Sequence, residues 1–101
     1  MWYNKDPRQV IDMTAEEVIQ ETAKLCRRFH AKEVILYGSR AKGTARERSD
    51  IDIAVSGAEN FDLLVEKVED LPTLYSVDLV NMDTCRNQLL LEDIRQYGRK
   101  I

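Results

Sequence analysis

The chain has 101 residues, of which 44% are hydrophobic, and its formal net charge is −3. This length suits one domain with its own core and is too short for a second, substrate-binding domain. The negative charge argues against broad, nonspecific adhesion to nucleic acid. Because no apolar run approaches the roughly 20 residues that span a bilayer, and the N-terminus lacks a signal-peptide core, we predict a cytoplasmic protein without membrane association.

The N-terminal part of the chain divides into an extension and the start of a domain. We expect residues 1–13, with Trp2 and Tyr3, to form a short turn or a frayed extension, and residues 14–101 to form a single domain. The Thr-Ala-Glu-Glu segment at 14–17 has the pattern of a helix capping box. An apolar stripe at helical spacing follows it and predicts a helix through His30.

A short apolar strand, Glu33 to Tyr37, leads directly into Gly38-Ser39 and a helix-competent Arg-Ala-Lys segment. Free N–H groups and the positive end of the dipole make a helix start favourable for anions, and glycine lets the backbone approach a phosphate closely. The sequence therefore predicts a phosphate-binding turn. Basic side chains crowd after it and either neutralise triphosphate charge or belong to a solvated loop with Glu47: Arg40, Lys42, Arg46 and Arg48.

Two aspartates, Asp50 and Asp52, occupy alternate positions on the next predicted strand. Side chains alternate faces along a strand, so both carboxylates lie on one face, and Ile51, Ile53 and Val55 lie on the other. Two carboxylates 4 Å apart repel by about 4 kcal/mol at an effective dielectric near 20, unless a cation lies between them or one is protonated. Hard divalent ions prefer oxygen ligands, which makes Mg²⁺ or Mn²⁺ the expected occupant. The alternative is a solvated strand face.

A second apolar strand, predicted from Leu74 to Val80, carries a single acid, Asp78. A helix with a buried face from Phe61 to Leu71 precedes it and must end before Pro72, because the residue before proline disfavours helical geometry. If this strand pairs beside the strand of the paired acids, three carboxylates converge, enough for two metal ions roughly 3.5–4 Å apart and an in-line displacement at phosphorus. The alternative for Asp78 is an exposed carboxylate on an edge strand.

The C-terminal segment predicts a last helix that Asp83 caps and Gly98 closes. Leu90, Ile94 and Tyr97 share one face of this helix. Two further leucines, at 89 and 91, either contact a partner or belong to the core. The two cysteines, at 26 and 85, are far apart and are expected to be buried or partly buried thiols, and the lone His30 a helix-end cation.

Taken together, these motifs resemble the nucleotidyltransferase superfamily related to DNA polymerase beta. The residues that carry the resemblance are Gly38-Ser39, Ser49-Asp50-Ile51-Asp52 and Val77-Asp78-Leu79-Val80, and it extends from about Thr14 to Tyr97. The short length resembles the minimal nucleotidyltransferases, or MNT-domain proteins. The fold that this implies is α/β, a short twisted mixed β-sheet packed by helices.

The resemblance also implies roles for individual residues. Catalytic and metal-binding roles fall on Asp50, Asp52 and Asp78, which would hold two Mg²⁺ ions, or Mn²⁺. Lys42 stands where an arginine is common in such proteins, which keeps the charge but loses bidentate geometry. The reaction implied is transfer of a nucleoside monophosphate from ATP or another nucleoside triphosphate to a hydroxyl group, with AMP as the expected group. Nucleotide-binding roles fall on Gly38, Ser39, Arg40, Lys42 and Ser49.

A protein partner is implied by the same resemblance. Many stand-alone MNT proteins are antitoxins encoded with a HEPN-domain ribonuclease toxin, and some silence it by placing AMP on a tyrosine. Two alternatives stay open: an antitoxin that neutralises its partner by occlusion without catalysis, and an enzyme that modifies nucleic-acid ends. A homodimer and a hetero-oligomer are both compatible with the sequence.

Overall fold

Four strands and four helices are formed within residues 13–46 and 49–101, the parts of the chain that this computed structural model describes. Among these residues no helix is both long and apolar enough to cross a bilayer. The extension lies outside the described residues except for Met13, which packs against the core. In chain order the elements are α1 Ala15–Arg28, β1 Glu33–Tyr37, α2 Ser39–Lys42, β2 Ile51–Ser56, α3 Phe61–Glu69, β3 Val77–Asn81, α4 Gln88–Tyr97 and β4 Arg99–Lys100.

The strands form one mixed sheet in the order β3-β2-β1-β4. Strand β1 is antiparallel to both β2 and β4, whereas β2 and β3 are parallel. Parallel neighbours need a crossover connection, and α3 supplies it. This arrangement confirms the predicted mixed sheet packed by helices.

The first helix begins at the predicted capping box. The Thr14 hydroxyl accepts a hydrogen bond from the Glu17 amide at 3.1 Å, and the Glu17 carboxylate accepts one from the Thr14 amide at 2.8 Å. The predicted end at His30 was wrong by two residues, because His30 has φ 64° and so leaves helical geometry. Its Nδ1 lies 3.0 Å from Oε2 of Glu59, beyond the helix end.

One face of the sheet builds the main core. Side chains of β1, β2 and β3 pack there against α1 and α3, as the alternation of apolar residues predicted. Ile51, Ile53 and Val55 are fully buried on this face. The thiol of Cys26 on α1 is buried with them, whereas Cys85 is half-buried, and both cysteines are free, as expected.

The opposite face of the sheet is only partly covered. Helix α4 inserts Ile94 against Ile35 and Ala54 and makes a second, smaller core there. Two residues away on each strand, the same face carries Tyr37, Asp52 and Asp78. We call this row the acid face.

The third strand is shorter than predicted. It begins at Val77 instead of Leu74, and the Leu74 side chain is 65% exposed. The Tyr75 amide donates to the Thr73 hydroxyl at 3.0 Å, which is a local turn and competes with strand pairing. The ladder to β2 starts where the Ile51 amide donates to the Ser76 carbonyl at 2.9 Å.

The start and the exposed face of α4 also differ from the prediction. Asn87 caps the helix by accepting the Leu90 amide at 3.1 Å, while the carboxylate of Asp83 accepts the Gly57 amide at 2.8 Å. Ile94 is buried as expected, but Tyr97 is 51% exposed. Residues 95–97, the end of α4, are thus exposed. The helix ends at Gly98, and the chain then turns into β4. Of the two leucines left open, Leu91 packs against the smaller core and Leu89 is 79% exposed.

Candidate active site

Three side chains lie in one row across the acid face. Asp52 on β2 is paired in register with Tyr37 on β1 and with Asp78 on β3. Residues directly opposite each other on neighbouring strands project from the same face. The pairing of Asp52 with Asp78 therefore brings together two acids that are 26 positions apart in the sequence (78 minus 52). Asp78 is exposed and lies on an edge strand, as the alternative interpretation of this residue expected, and it also lies beside Asp52.

The backbone of Gly38 lies against the carboxylate of Asp52. Gly38 has φ 75° and ψ −155°, and a Cβ built on it would lie 2.5 Å from Oδ2 of Asp52. Real Cβ atoms essentially never lie that close to another atom, so a side chain at this position would force the Asp52 carboxylate to shift. The predicted phosphate-binding turn and the predicted metal-binding acid are thus direct neighbours.

The electrostatics of the row follow from this crowding. The pKa of Asp52 is raised above its ordinary value of 3.8, first by burial and then by the negative charges of Asp78 and Asp50. Asp50, the residue just before β2, is exposed, and it acts on Asp52 from the same side of the strand. Three acids therefore share one electrostatic site, and a positive charge placed there would relieve their repulsion.

Tyr37 was missed by sequence reasoning. Its side chain is buried, and burial together with the charges of Asp52 and Asp78 raises its pKa to about 12. The phenol consequently stays protonated and neutral beside the acids. The sequence did offer one signal for Tyr37, its position immediately before Gly38 of the predicted phosphate-binding turn. The position of Tyr37 beside Asp52, however, depends on the register of β1 and β2.

Arg40 and Ser49 contact each other. Nε and Nη2 of Arg40 both donate to the Ser49 carbonyl, at 3.2 and 2.8 Å, and the guanidinium lies 5.2 Å from the centroid of the Tyr75 ring. The Ser49 hydroxyl accepts the Arg46 amide at 2.8 Å. Both residues thus organise the loop that leads into Asp50, and their nucleotide-binding roles stay predictions.

Lys42 and Ser39 occupy the two ends of α2. The Lys42 ammonium lies 3.3 Å from Oδ1 of Asp93 and 5.0 Å from the centroid of the Tyr97 ring, so it joins α2 to α4. Ser39 is half-buried, and its carbonyl accepts the Thr44 amide at 2.9 Å. Arg48 and Glu47, the other loop residues considered, lie outside the described residues.

Residues 17–101 match the family described as polymerase beta nucleotidyltransferase. The chain belongs to this family. The match covers all the helices and strands described above except the first two residues of α1, and it includes all of the acid face. The resemblance seen in the motifs is therefore confirmed for the fold as well as for the sequence.

Relatives of this nucleotidyltransferase domain agree with that assignment. A Methanocaldococcus jannaschii protein named "Putative protein adenylyltransferase" is 35% identical over 68 residues, 64% of this chain and 68% of the relative. A structure of a toxin-antitoxin with AMP-PNP has 29% identity and a TM-score of 0.64, over 81% of this chain and 70% of that one. A structure named as that of a putative minimal nucleotidyltransferase has 28% identity and a TM-score of 0.66, over 89% and 98%.

The donor set of the nucleotidyltransferase domain fits a divalent ion that phosphate helps to hold. Within the described ranges no three acidic, histidine or cysteine side chains lie close enough to enclose a metal ion by themselves. Mg²⁺ is usually bound by one or two carboxylates together with substrate phosphates and water, and therefore needs no such cage. Burial, and after it the negative charges of Asp78 and Asp50, raise the pKa of Asp52, so a cation would be favoured beside it.

We expect Mg²⁺ or Mn²⁺ to raise the melting temperature of the protein. An ion at ten times its dissociation constant stabilises the folded state by about 1.4 kcal/mol, which shifts the midpoint of a domain this size by about 6–11 °C. Asp50→Asn should reduce the shift, whereas Asp62→Asn, on the exposed start of α3, should not. A thermal melt with and without ATP measures both, and the absence of any metal-dependent shift at millimolar concentration would contradict the metal site.

Proposed function

We propose that this nucleotidyltransferase domain transfers AMP from ATP to a hydroxyl group of a partner protein. The observation that carries the proposal is the register of Asp52 with Asp78, next to the backbone of Gly38. Acids beside a backbone turn would hold a divalent cation against a bound phosphate, and the cation would supply the positioning and charge neutralisation that phosphoryl chemistry requires. The name of the archaeal relative supports a protein as the acceptor, and the AMP-PNP of the similar toxin-antitoxin structure supports an adenine nucleotide.

The proposed reaction assigns one task to each part of the site. The acceptor oxygen attacks the α-phosphorus, the bond from that phosphorus to the bridging oxygen breaks, and pyrophosphate leaves. Asp78, the exposed acid, takes the proton of the attacking hydroxyl. Gly38 and Ser39 hold the β- and γ-phosphates. Mg²⁺ held by Asp50, Asp52 and Asp78 would neutralise charge that develops on the phosphates.

We also propose that the acceptor lies on a HEPN-domain toxin and that the chain is its antitoxin, acting in the cytoplasm. Similarity to a toxin-antitoxin structure supports a toxin as the partner. The geometry supports a large acceptor, because Asp78 lies on the edge strand β3, where a protein surface has access to it.

A non-catalytic antitoxin that occludes its toxin is the second candidate. It is favoured by the exposed apolar surface of α4, where Leu89 is 79% exposed. Occlusion requires contact area and no converging acids, so it would be indifferent to substitutions on the acid face. This indifference separates the two candidates.

The deciding experiment is to co-express the chain with its toxin and to weigh the toxin by mass spectrometry. Transfer predicts a toxin heavier by one or more AMP groups, and the gain should vanish when the chain carries Asp52→Asn. A toxin that is neutralised without any mass gain, and equally well by the variant, would identify occlusion. Labelled ATP that enters RNA or DNA instead of protein would identify an enzyme that modifies nucleic-acid ends.

A further inference from the structure

Arg40 contacts two of the segments that build the acid face and belongs to a third. It follows Ser39 in α2, its guanidinium donates twice to the carbonyl of Ser49, and the same guanidinium lies over the ring of Tyr75. Ser49 immediately precedes Asp50, and Tyr75 lies three residues before Asp78. One side chain therefore joins the phosphate turn to the approaches of both acid-bearing strands.

The contacts suit arginine and no other cation. A planar guanidinium offers two N–H groups to one acceptor while it lies flat on an aromatic ring, whereas the compact ammonium of lysine does not. The ring of Tyr75 is partly buried against the main core, so it provides a fixed surface. Next to it, the hydrogen bond from the Ile51 amide to the Ser76 carbonyl joins β2 and β3.

We infer that Arg40 is a positioning residue, which holds the turn at Gly38 in a fixed place relative to Asp50 and Asp78, and that it does not bind the triphosphate. To offer Nε and Nη2 to a phosphate, the guanidinium would have to leave the Ser49 carbonyl. This positioning role rests on the proposed function, AMP transfer at the acid face. We call the contacts of the Arg40 guanidinium with the Ser49 carbonyl and the Tyr75 ring the brace. A misplacement of reacting groups by about 1 Å is enough to cost about 10²-fold in rate, so loss of the brace should slow the reaction.

The test uses two substitutions that break the brace from opposite sides. Arg40→Lys keeps the positive charge but loses the paired N–H donors that bind the Ser49 carbonyl. Tyr75→Leu removes the aromatic ring and changes no charge. Each should lower kcat for AMP transfer by about 10- to 100-fold. Since a positioning defect leaves ground-state binding intact, the dissociation constant for ATP should change by less than about threefold. Because both substitutions disrupt the same set of contacts, the double variant should be no slower than the slower single variant.

Matched controls separate the brace from charge and from packing. Tyr75→Phe keeps the ring and should behave as the unmodified protein, and so should Lys67→Gln, which removes an exposed charge on α3. Hydrogen–deuterium exchange supplies a readout that needs no activity: residues 49–52 should exchange faster in Arg40→Lys and in Tyr75→Leu, and not in Tyr75→Phe.

Three results would overturn the inference. The first is an ATP dissociation constant that rises in Arg40→Lys while kcat at saturation is unchanged, which would make Arg40 a phosphate ligand. The second is full activity of Tyr75→Leu, and the third is unchanged exchange of residues 49–52 in both variants. A chain that transfers no AMP at all would refute the proposed function instead, and the exchange measurement would still decide whether the brace exists.

Discussion

Asp52→Asn is expected to lower the rate of AMP transfer by at least about 10²–10³-fold while leaving the domain folded. Asparagine keeps the size of the side chain and removes the charge that lies between Gly38 and Asp78. The measurement is single-turnover transfer from labelled ATP to the purified partner. Glu66→Gln, on the exposed surface of α3, is the control and should retain full activity.

The same substitution should make the metal-free protein more stable at neutral pH. Because the folded-state pKa of Asp52 is raised, the folded state binds its proton more tightly than the unfolded state does. The free energy of unfolding therefore falls as the pH rises from the unfolded value of Asp52, near its ordinary 3.8, through the raised folded value. Asp52→Asn removes this contribution to the pH dependence of the free energy of unfolding. Denaturant melts across that acidic range measure it, and an Asn variant less stable at neutral pH would contradict the electrostatic interpretation.

Gly38→Ala is expected to impair both stability and transfer. Its φ of 75° with ψ −155° lies in a region that is essentially restricted to glycine and costs other residues about 1–3 kcal/mol. The new Cβ would also force the Asp52 carboxylate to move. We expect a loss of about 2–3 kcal/mol in the free energy of unfolding and about 10²-fold in transfer rate, measured by urea melts and single-turnover kinetics.

Gly43→Ala provides the control for Gly38→Ala. Gly43 also has a positive φ, 76°, at the other end of α2, but no atom lies within 4 Å of a Cβ built there. It should lose about 1–2 kcal/mol, the cost of left-handed backbone, and keep its activity. The contact itself is isolated by repeating Gly38→Ala in an Asp52→Ala background, where the loss of stability should be smaller. An equal loss in both backgrounds would show that the carboxylate is not the obstacle.

Local features of the chain were predictable from the sequence. The capping box at Thr14, the alternation of acid and apolar residues at 50–55 and the end of α3 before Pro72 all depend on residues within a few positions of one another. The predicted phosphate turn likewise follows from the order of strand, glycine and helix. Predictions of this kind failed at the end of α1, at the start of β3 and at the start of α4, where Asp83 and Asn87 were competing caps.

The amino-acid sequence by itself determined which residues are proposed to carry chemistry: the glycine turn, the paired acids and the third acid. Only the tertiary structure decided that Tyr37, Asp52 and Asp78 form one row and that Arg40 lies on Tyr75. The physical reason is that strand register is set by the packing of the buried face against α1 and α3, through contacts between residues distant in the sequence. A shift of one residue would turn each acid toward that core, so the same packing that stabilises the fold also positions the site.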